Sequence, residues 1–314
     1  VSTVASETDV TASETTGPGP GRPQRRSGRR SRKSRAGVHL WDATALTRIA
    51  LIATIALMAF PLYWMVVVAS RDASAATTFP PPLTPGSNLG ANVDTALNDD
   101  ASNLVKGLVN SFIVSGTVAF SVVVISTLAG FAFAKLRFRG STVLLAIILL
   151  TMTVPLQQIG IVPLYLMMVE LGWVNTLQAV ILPFLVNGFG IFLMRQYTIQ
   201  AVPDDLVEAA RIDGASTIRI YWNVVLPAVR PGIAVLGLLT FMQNWNEFLW
   251  PLIALSPDNP TVQVAIQQLT TGNYSADYSM IFTGTLLSIV PLVVIFVAFG
   301  KQIVGGIMEG GVKA

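Results

Sequence analysis

Residues 203–232 read PDDLVEAARIDGASTIRIYWNVVLPAVRPG. The stretch is too polar to cross a bilayer and too patterned to be a simple linker. Pro203 followed by Asp204 and Asp205 reads as a helix start, with acids at the positive end of the helix dipole. Leu206, Val207, Ala210 and Ile212 can form an apolar face. Gly214 interrupts the helix and permits a sharp turn. Ser216 is placed to cap a second helix through Ile218, Tyr221, Trp222 and Val225, and Pro227 and Pro231 end it before the next apolar run. The spacing predicts a short helix, a tight turn and another short helix lying across the inner membrane surface.

Working outward, apolar runs flank this segment. The chain of 314 residues is 52% hydrophobic and only 12% charged, with mean hydropathy +0.62. A soluble domain of this size needs more charge to cover its surface. Six runs, at about 46–69, 107–134, 142–168, 176–198, 232–255 and 280–303, approach the ~20 residues an apolar helix needs to span the hydrocarbon. Strand alternation is absent, and backbone groups in lipid need internal partners, so the runs are expected to be helices. The fold class is an all-α membrane protein with six transmembrane helices and a cytoplasmic helix-turn-helix between spans four and five.

Basic residues orient it. With both termini inside, 18 of the 20 Lys and Arg face the cytoplasm, leaving Arg71 and Lys106 outside. The positive-inside rule therefore selects the N-in, C-in arrangement. Residues 1–37 are rich in Ser, Thr, Gly and Pro and carry an arginine cluster from Arg22 to Arg35. They are expected to form a disordered basic cytoplasmic tail. The cluster reads as an anchor beside the first span or as an attraction to anionic membrane lipid. Residues 38–314 form the membrane domain. Two outer loops, 70–106 and 256–279, are long enough to meet a partner or to be ordinary solvated loops.

Several function classes drop out. There is no cysteine and one histidine, His39, so thiolate or multi-histidine metal sites and histidine-based triads are not expected. No phosphate-cradling Gly-x-x-x-x-Gly-Lys-Ser/Thr occurs; Gly300-Lys301 lacks the upstream glycine and is followed by Gln302. The chain is not expected to hydrolyse ATP itself, and no cofactor or nucleic-acid partner is expected.

Ionisable groups inside a span are expensive and usually face a cavity or bundle interior. Glu247 is the clearest case. Gln243, Glu247 and Trp250 fall at i, i+4, i+7 spacing, with Asn244 and Asn246 beside them. Amides and carboxylates match sugar hydroxyls, and an indole face matches a pyranose ring, so these five residues are candidate path-lining groups. The alternative is that they bond to neighbouring helices or a partner, with Trp245 and Trp250 as interface-belt aromatics. Gln157, Gln158 and Asn187 are weaker candidates.

Glu208-Ala209-Ala210, Asp213-Gly214-Ala215 and Leu226-Pro227 stand at the spacing of the signature loop of importer-type ATP-binding-cassette permeases. The resemblance covers about residues 45–314. Asn110-Ser111, Lys135–Gly140, Trp245–Pro251 and the tail Gly305–Lys313 look like the carbohydrate, maltose-permease-like branch. Thr261–Ala265 and the tail look most like cello-oligosaccharide permeases of actinobacteria. The resemblance implies a multi-pass subunit of a bacterial plasma membrane that imports a sugar by alternating access. Its implied partners are a homologous second permease, two copies of an ATPase and an extracytoplasmic sugar-binding protein. It implies that Glu208, Ala209, Ala210, Asp213, Gly214 and Ala215 form a coupling helix. Glu208 would pair with a basic group on the ATPase, Ala209 and Ala210 would permit close approach, and Gly214 would make the turn. A permease for another solute such as glycerol phosphate, and an ion-coupled secondary transporter, are the alternatives. The basic tail is not part of the family pattern.

Overall fold

Every regular element among the described residues is a helix. The computed structural model describes residues 45–153, 160–271 and 277–311. The basic tail 1–37, His39, Gln157, Gln158, the Asn273-Tyr274 region and the last three residues lie outside the described residues. The chain divides into residues 1–53 and 54–314. Of the first unit the described part, 45–53, is helical.

Helix α1 (Ala45–Ala69) precedes α2 (Leu89–Leu97) and the long α3 (Leu104–Lys135). Then come α4 (Ser141–Thr153), α5 (Ile161–Glu170), α6 (Leu177–Ile181, continued by a tighter turn to Phe184) and α7 (Gly188–Ala201). The expected hairpin is α8 (Asp204–Ile212) and α9 (Thr217–Ile220, continued to Ala228). Helices α10 (Arg230–Trp245), α11 (Leu249–Ala254), α12 (Val262–Thr271) and α13 (Tyr278–Gly311) complete the chain.

Among the described residues, three helices are long and apolar enough to cross a membrane: α1, α3 and the Tyr278–Ala298 part of α13. Two bent pairs raise the number to five if each is one span. The expected fourth span is one such pair, Leu177–Phe184 and Gly188–Ala201, bent by 44°. Asn187 restarts the helix there, its Oδ1 accepting from the N–H groups of Phe189 (2.8 Å) and Gly190 (3.3 Å). The expected third span falls on α4 and α5, which flank undescribed residues.

The expected fifth span, 232–255, is not one helix. It stops at Trp245 and resumes at Leu249. Pro251 gives the reason: inside a continuous helix its ring would clash with the carbonyl of residue 247. In the first turn of α11, where N–H groups have no helical partner anyway, it is tolerated.

α3 runs along α7 and α10. Its buried residues include Gly107, Asn110, Ser111, Val114, Ser115, Val118, Val122, Ser126, Gly130 and Phe131, a stripe at helical spacing made largely of small side chains. Small residues let backbones approach where burial from lipid gives no hydrophobic gain. Gly130 is the closest case, since a Cβ there would lie 2.8 Å from the Arg195 nitrogen and the Met194 carbonyl carbon. The other side of α3 exposes Phe112, Phe120 and Leu128, as a lipid-facing side does.

Candidate functional site

The hairpin forms as its sequence dictates. Asp204 and Asp205 occupy the first turn of α8 after Pro203. The helix ends in a left-handed turn: Gly214 has φ +78°. The N–H groups of Asp213, Gly214 and Ala215 donate to the carbonyls of Ala209, Arg211 and Ala210 at 2.9–3.0 Å, satisfying the last carbonyls. Ser216 is extended and its Oγ accepts from the Arg219 N–H at 3.3 Å. After α9 the chain makes a π turn over Tyr221–Val225, and Thr217–Ala228 meets Arg230–Trp245 at 77°.

Of the expected loop residues, Glu208, Ala209, Asp213 and Gly214 are exposed, while Ala210 and Ala215 are half-buried. Ile212 is 86% exposed, Ile218 71% and Trp222 59%. Val207 instead turns inward and joins the main core cluster. Nothing lies within 4 Å of a Cβ built on Gly214. The structure thus brings Glu208 to Ala215 together as one helix end and turn, exposed except at Ala210 and Ala215.

Between this hairpin and the end of α3 lies a polar cleft of about 560 Å³, lined by Lys135, Arg137, Asp204, Glu208 and Arg211 among others. Lys135 Nζ donates to Asp204 Oδ1 at 2.6 Å. That hydrogen bond, with the attraction of the Lys135 charge and a smaller one from Arg137, lowers the Asp204 pKa from its ordinary value against a small opposing effect of desolvation.

The five residues expected to line a path separate into two groups. Glu247 and Trp250 meet at a cavity of about 530 Å³, whose walls include Pro163, Leu164, Phe184 and Leu249. Glu247 Oε1 accepts from the Trp250 backbone N–H at 3.3 Å. The Trp250 side chain is fixed elsewhere: it is 4% exposed and its indole N–H donates to the Ala179 carbonyl at 2.9 Å. Gln243, Asn244 and Asn246 are not at this cavity. Asn244 and Asn246 return their amides to the Thr240 and Met242 carbonyls of their own helix, both at 2.8 Å. Gln243 is exposed. The break at Asn246–Phe248 carries the two groups apart, and Pro251 was the signal for it. Trp245 is a core residue, 1% exposed, donating to the Ser288 carbonyl at 3.2 Å.

A second structured region joins α3 to the 256–262 loop. Asn110 Nδ2 donates to the Pro260 carbonyl (2.8 Å) and to Asn259 Oδ1 (3.0 Å), and Ser111 Oγ accepts from the Val262 N–H (2.8 Å). Asn175, at φ +63°, accepts from the Ser256 N–H and Oγ on its Oδ1, at 3.0 and 2.8 Å. Sequence reading marked Asn110-Ser111 as a pattern without assigning this clasp.

Comparison with known proteins fits this geometry. Residues 123–304 match the model of the family described as binding-protein-dependent transport system inner membrane component. The arabinooligosaccharides transport system permease protein AraQ of Halalkalibacterium halodurans is 34% identical over 205 residues, 65% of this chain and 72% of that protein. The sn-glycerol-3-phosphate transport system permease protein UgpE of Salmonella typhi is 31% identical over 272 residues, 85% of this chain and 96% of that protein. A chain of a bacterial ATP-binding-cassette transporter involved in importing the acidic polysaccharide alginate shares the fold, with TM-score 0.70 and 22% identity over 82% of this chain and 94% of its own. The family match over more than half its length and the similarity to permeases along most of the chain agree: this chain belongs to the binding-protein-dependent transport system inner membrane components, a family of membrane-embedded permease subunits of ATP-binding-cassette importers that are not themselves enzymes.

Proposed function

We propose that the chain is one half of a sugar or short-oligosaccharide permease, pairing with a homologous second permease around one path and with two ATPase subunits below it. It spans six times with both termini inside, and the hairpin at 203–228 is the coupling element. The observation that carries this reading is the exposed end of α8 and its turn. Ile212, Ile218 and Trp222 present apolar surface beside Glu208 and Asp213 on a segment too polar to enter lipid. Such a patch suits a groove on a protein partner. ATP-driven closure of the ATPases would push this hairpin, turn the helices as rigid bodies and open the path toward a docked binding protein. Glu208→Lys should abolish co-purification of the ATPase while leaving the permease in the membrane. Unchanged retention of the ATPase would refute the coupling assignment.

For the solute, Glu247 at the cavity offers a carboxylate acceptor among largely apolar walls, suited to the hydroxyls of neutral rings. An arabinooligosaccharide permease among the relatives supports the same class, with a cello-oligosaccharide as the specific candidate. A glycerol phosphate importer is the second reading, favoured by the similarity over almost the whole length of a permease of that kind. A carboxylate in the cavity argues against it, since like charges repel. Uptake of labelled cellobiose with and without this gene, with unlabelled maltose, trehalose and sn-glycerol 3-phosphate as competitors, decides. Loss of uptake insensitive to all three places the protein with β-gluco-oligosaccharides. Unchanged cellobiose uptake sinks that sugar, and gene-dependent uptake of glycerol 3-phosphate establishes the second reading.

A further inference from the structure

Both limbs of the hairpin grip the same helix. From the first limb, Asp204 accepts from Lys135 at the last residue of α3. Val207, 4% exposed, sits in the cluster that includes Phe131, with Leu136 packed against it. From the second limb, the Tyr221 and Thr127 hydroxyls share a hydrogen bond of 2.8 Å, and the Tyr221 ring lies 5.8 Å from that of Phe131. Thr127 and Lys135 are separated by a little over two turns of α3, about 12 Å. Two grips at that separation fix the direction of a helix as well as its position; one would leave a pivot.

The chemistry of each grip is unusual for a surface loop. The Lys135 side chain is only 6% exposed while the Asp204 carboxylate it meets is 77% exposed, and a shielded ammonium is tolerated when a carboxylate partners it. Tyr221 and Thr127 are buried, and Tyr221 opens the π turn, a geometry that recurs at functional sites. Meanwhile α3 lies against α7 and α10, and near its other end Asn110 and Ser111 hold the 259–262 segment.

We propose that Lys135–Asp204 and Thr127–Tyr221 are paired positioning contacts that make α3 follow the hairpin, so that motion imposed on the hairpin displaces α3 instead of flexing the loop. This rests on the reading of the hairpin as the ATPase-engaging element. Neither pair touches solute; they act on transport through α3.

The test uses the assembled importer in proteoliposomes and reads solute imported per ATP hydrolysed, with ATPase retention and melting temperature measured in parallel. Tyr221→Phe removes one oxygen and keeps the ring, and Thr127 retains its bond to the Val124 carbonyl. Lys135→Met and Asp204→Asn each remove the ion pair. Each of the three variants should lower the transport ratio by roughly fivefold or more, the scale of an allosteric coupling, with ATPase retention unchanged and any fall in melting temperature too small to account for the loss. The double variant of Lys135 and Asp204 should be no worse than either single one, as for groups acting as a unit, and Lys135→Arg should restore the ratio. An unchanged ratio in Tyr221→Phe and Asp204→Asn, or a loss that tracks a fall in melting temperature, overturns the proposal. Should Lys135→Met fail to assemble, Tyr221→Phe decides. Failure of the underlying reading looks different: the ATPase would stay bound in Glu208→Lys.

Discussion

The hairpin at 203–228 and the interruption at 246–248 are both breaks between apolar helices, and they are built in opposite ways. The hairpin closes its own turn, while its two limbs are held by α3. Its turn is satisfied by Asp213, Gly214 and Ala215 bonding within α8, and Ser216 caps the next helix. Its outer surface is left open, with Trp222 59% exposed. The interruption is closed by distant parts of the chain. Trp250 donates to Ala179, Trp245 to Ser288, and the following loop is held by Asn175, Asn110 and Ser111. A break that carries its own capping can project from the body and meet another molecule. A break capped by its neighbours is part of the body and stiffens it.

The largest expected effect separates the two tryptophans. Trp250→Ala removes a buried indole and its hydrogen bond and should destabilise the purified permease by about 3–5 kcal/mol, read as a fall in its melting temperature in detergent. Trp222→Ala should change stability by no more than about 0.5 kcal/mol while weakening ATPase retention. Similar melting for both would erase the distinction drawn here.

Next is the clasp. Asn110→Ala leaves the Pro260 carbonyl without its side-chain donor in a buried setting and should cost about 1–3 kcal/mol. Hydrogen exchange of the Val262–Thr271 helix should quicken. Protection equal to that of the unaltered protein would show the loop is held some other way.

Gly214→Ala should cost about 1–2 kcal/mol, the penalty of a Cβ in the left-handed region, because no neighbour crowds the position. The loss should be confined to the hairpin, so the melting temperature of the body stays put while protease cleavage at 212–216 speeds up. Whole-body destabilisation would mean the hairpin is not self-contained.

The smallest effect is one of pH. The Asp204 pKa is held below its ordinary value by Lys135. The stabilisation is therefore complete above the unfolded aspartate value, about 3.9, and is lost only as pH falls through the lower folded value. Hydrogen-exchange protection at α8, corrected for the intrinsic pH dependence of the exchange rate, should be flat from neutral pH to about pH 5 and fall only in stronger acid. A fall already near neutrality would contradict the pair.

The same contrast explains what could be read from the sequence. The hairpin was legible because its signals are local: Pro203 with two acids opens it, Gly214 turns it, Ser216 restarts it. The long apolar helices α1, α3 and α13 were legible from composition alone. The i, i+4, i+7 alignment of Gln243, Glu247 and Trp250 presumed a continuous helix. Pro251 warned against that, but where the broken pieces go depends on acceptors at Ala179 and Ser288, 71 and 43 residues distant. Neither the clasp at Asn110 nor the Tyr221–Thr127 pair has a local signature, because each joins residues some 90 to 150 positions apart.

α3 has 32 residues, about 48 Å of helix, against a hydrocarbon layer of about 30 Å. No charge interrupts it between Lys106 and Lys135. A rod that overlong is accommodated by leaning, by bending or by local thickening of the sheet it crosses, with its packing on α7 and α10 setting the angle. Since polar contacts tie down both its ends, the acyl-chain length of the surrounding lipids becomes a parameter of the machine: thinner bilayers tilt the rod further, and thicker ones draw it upright.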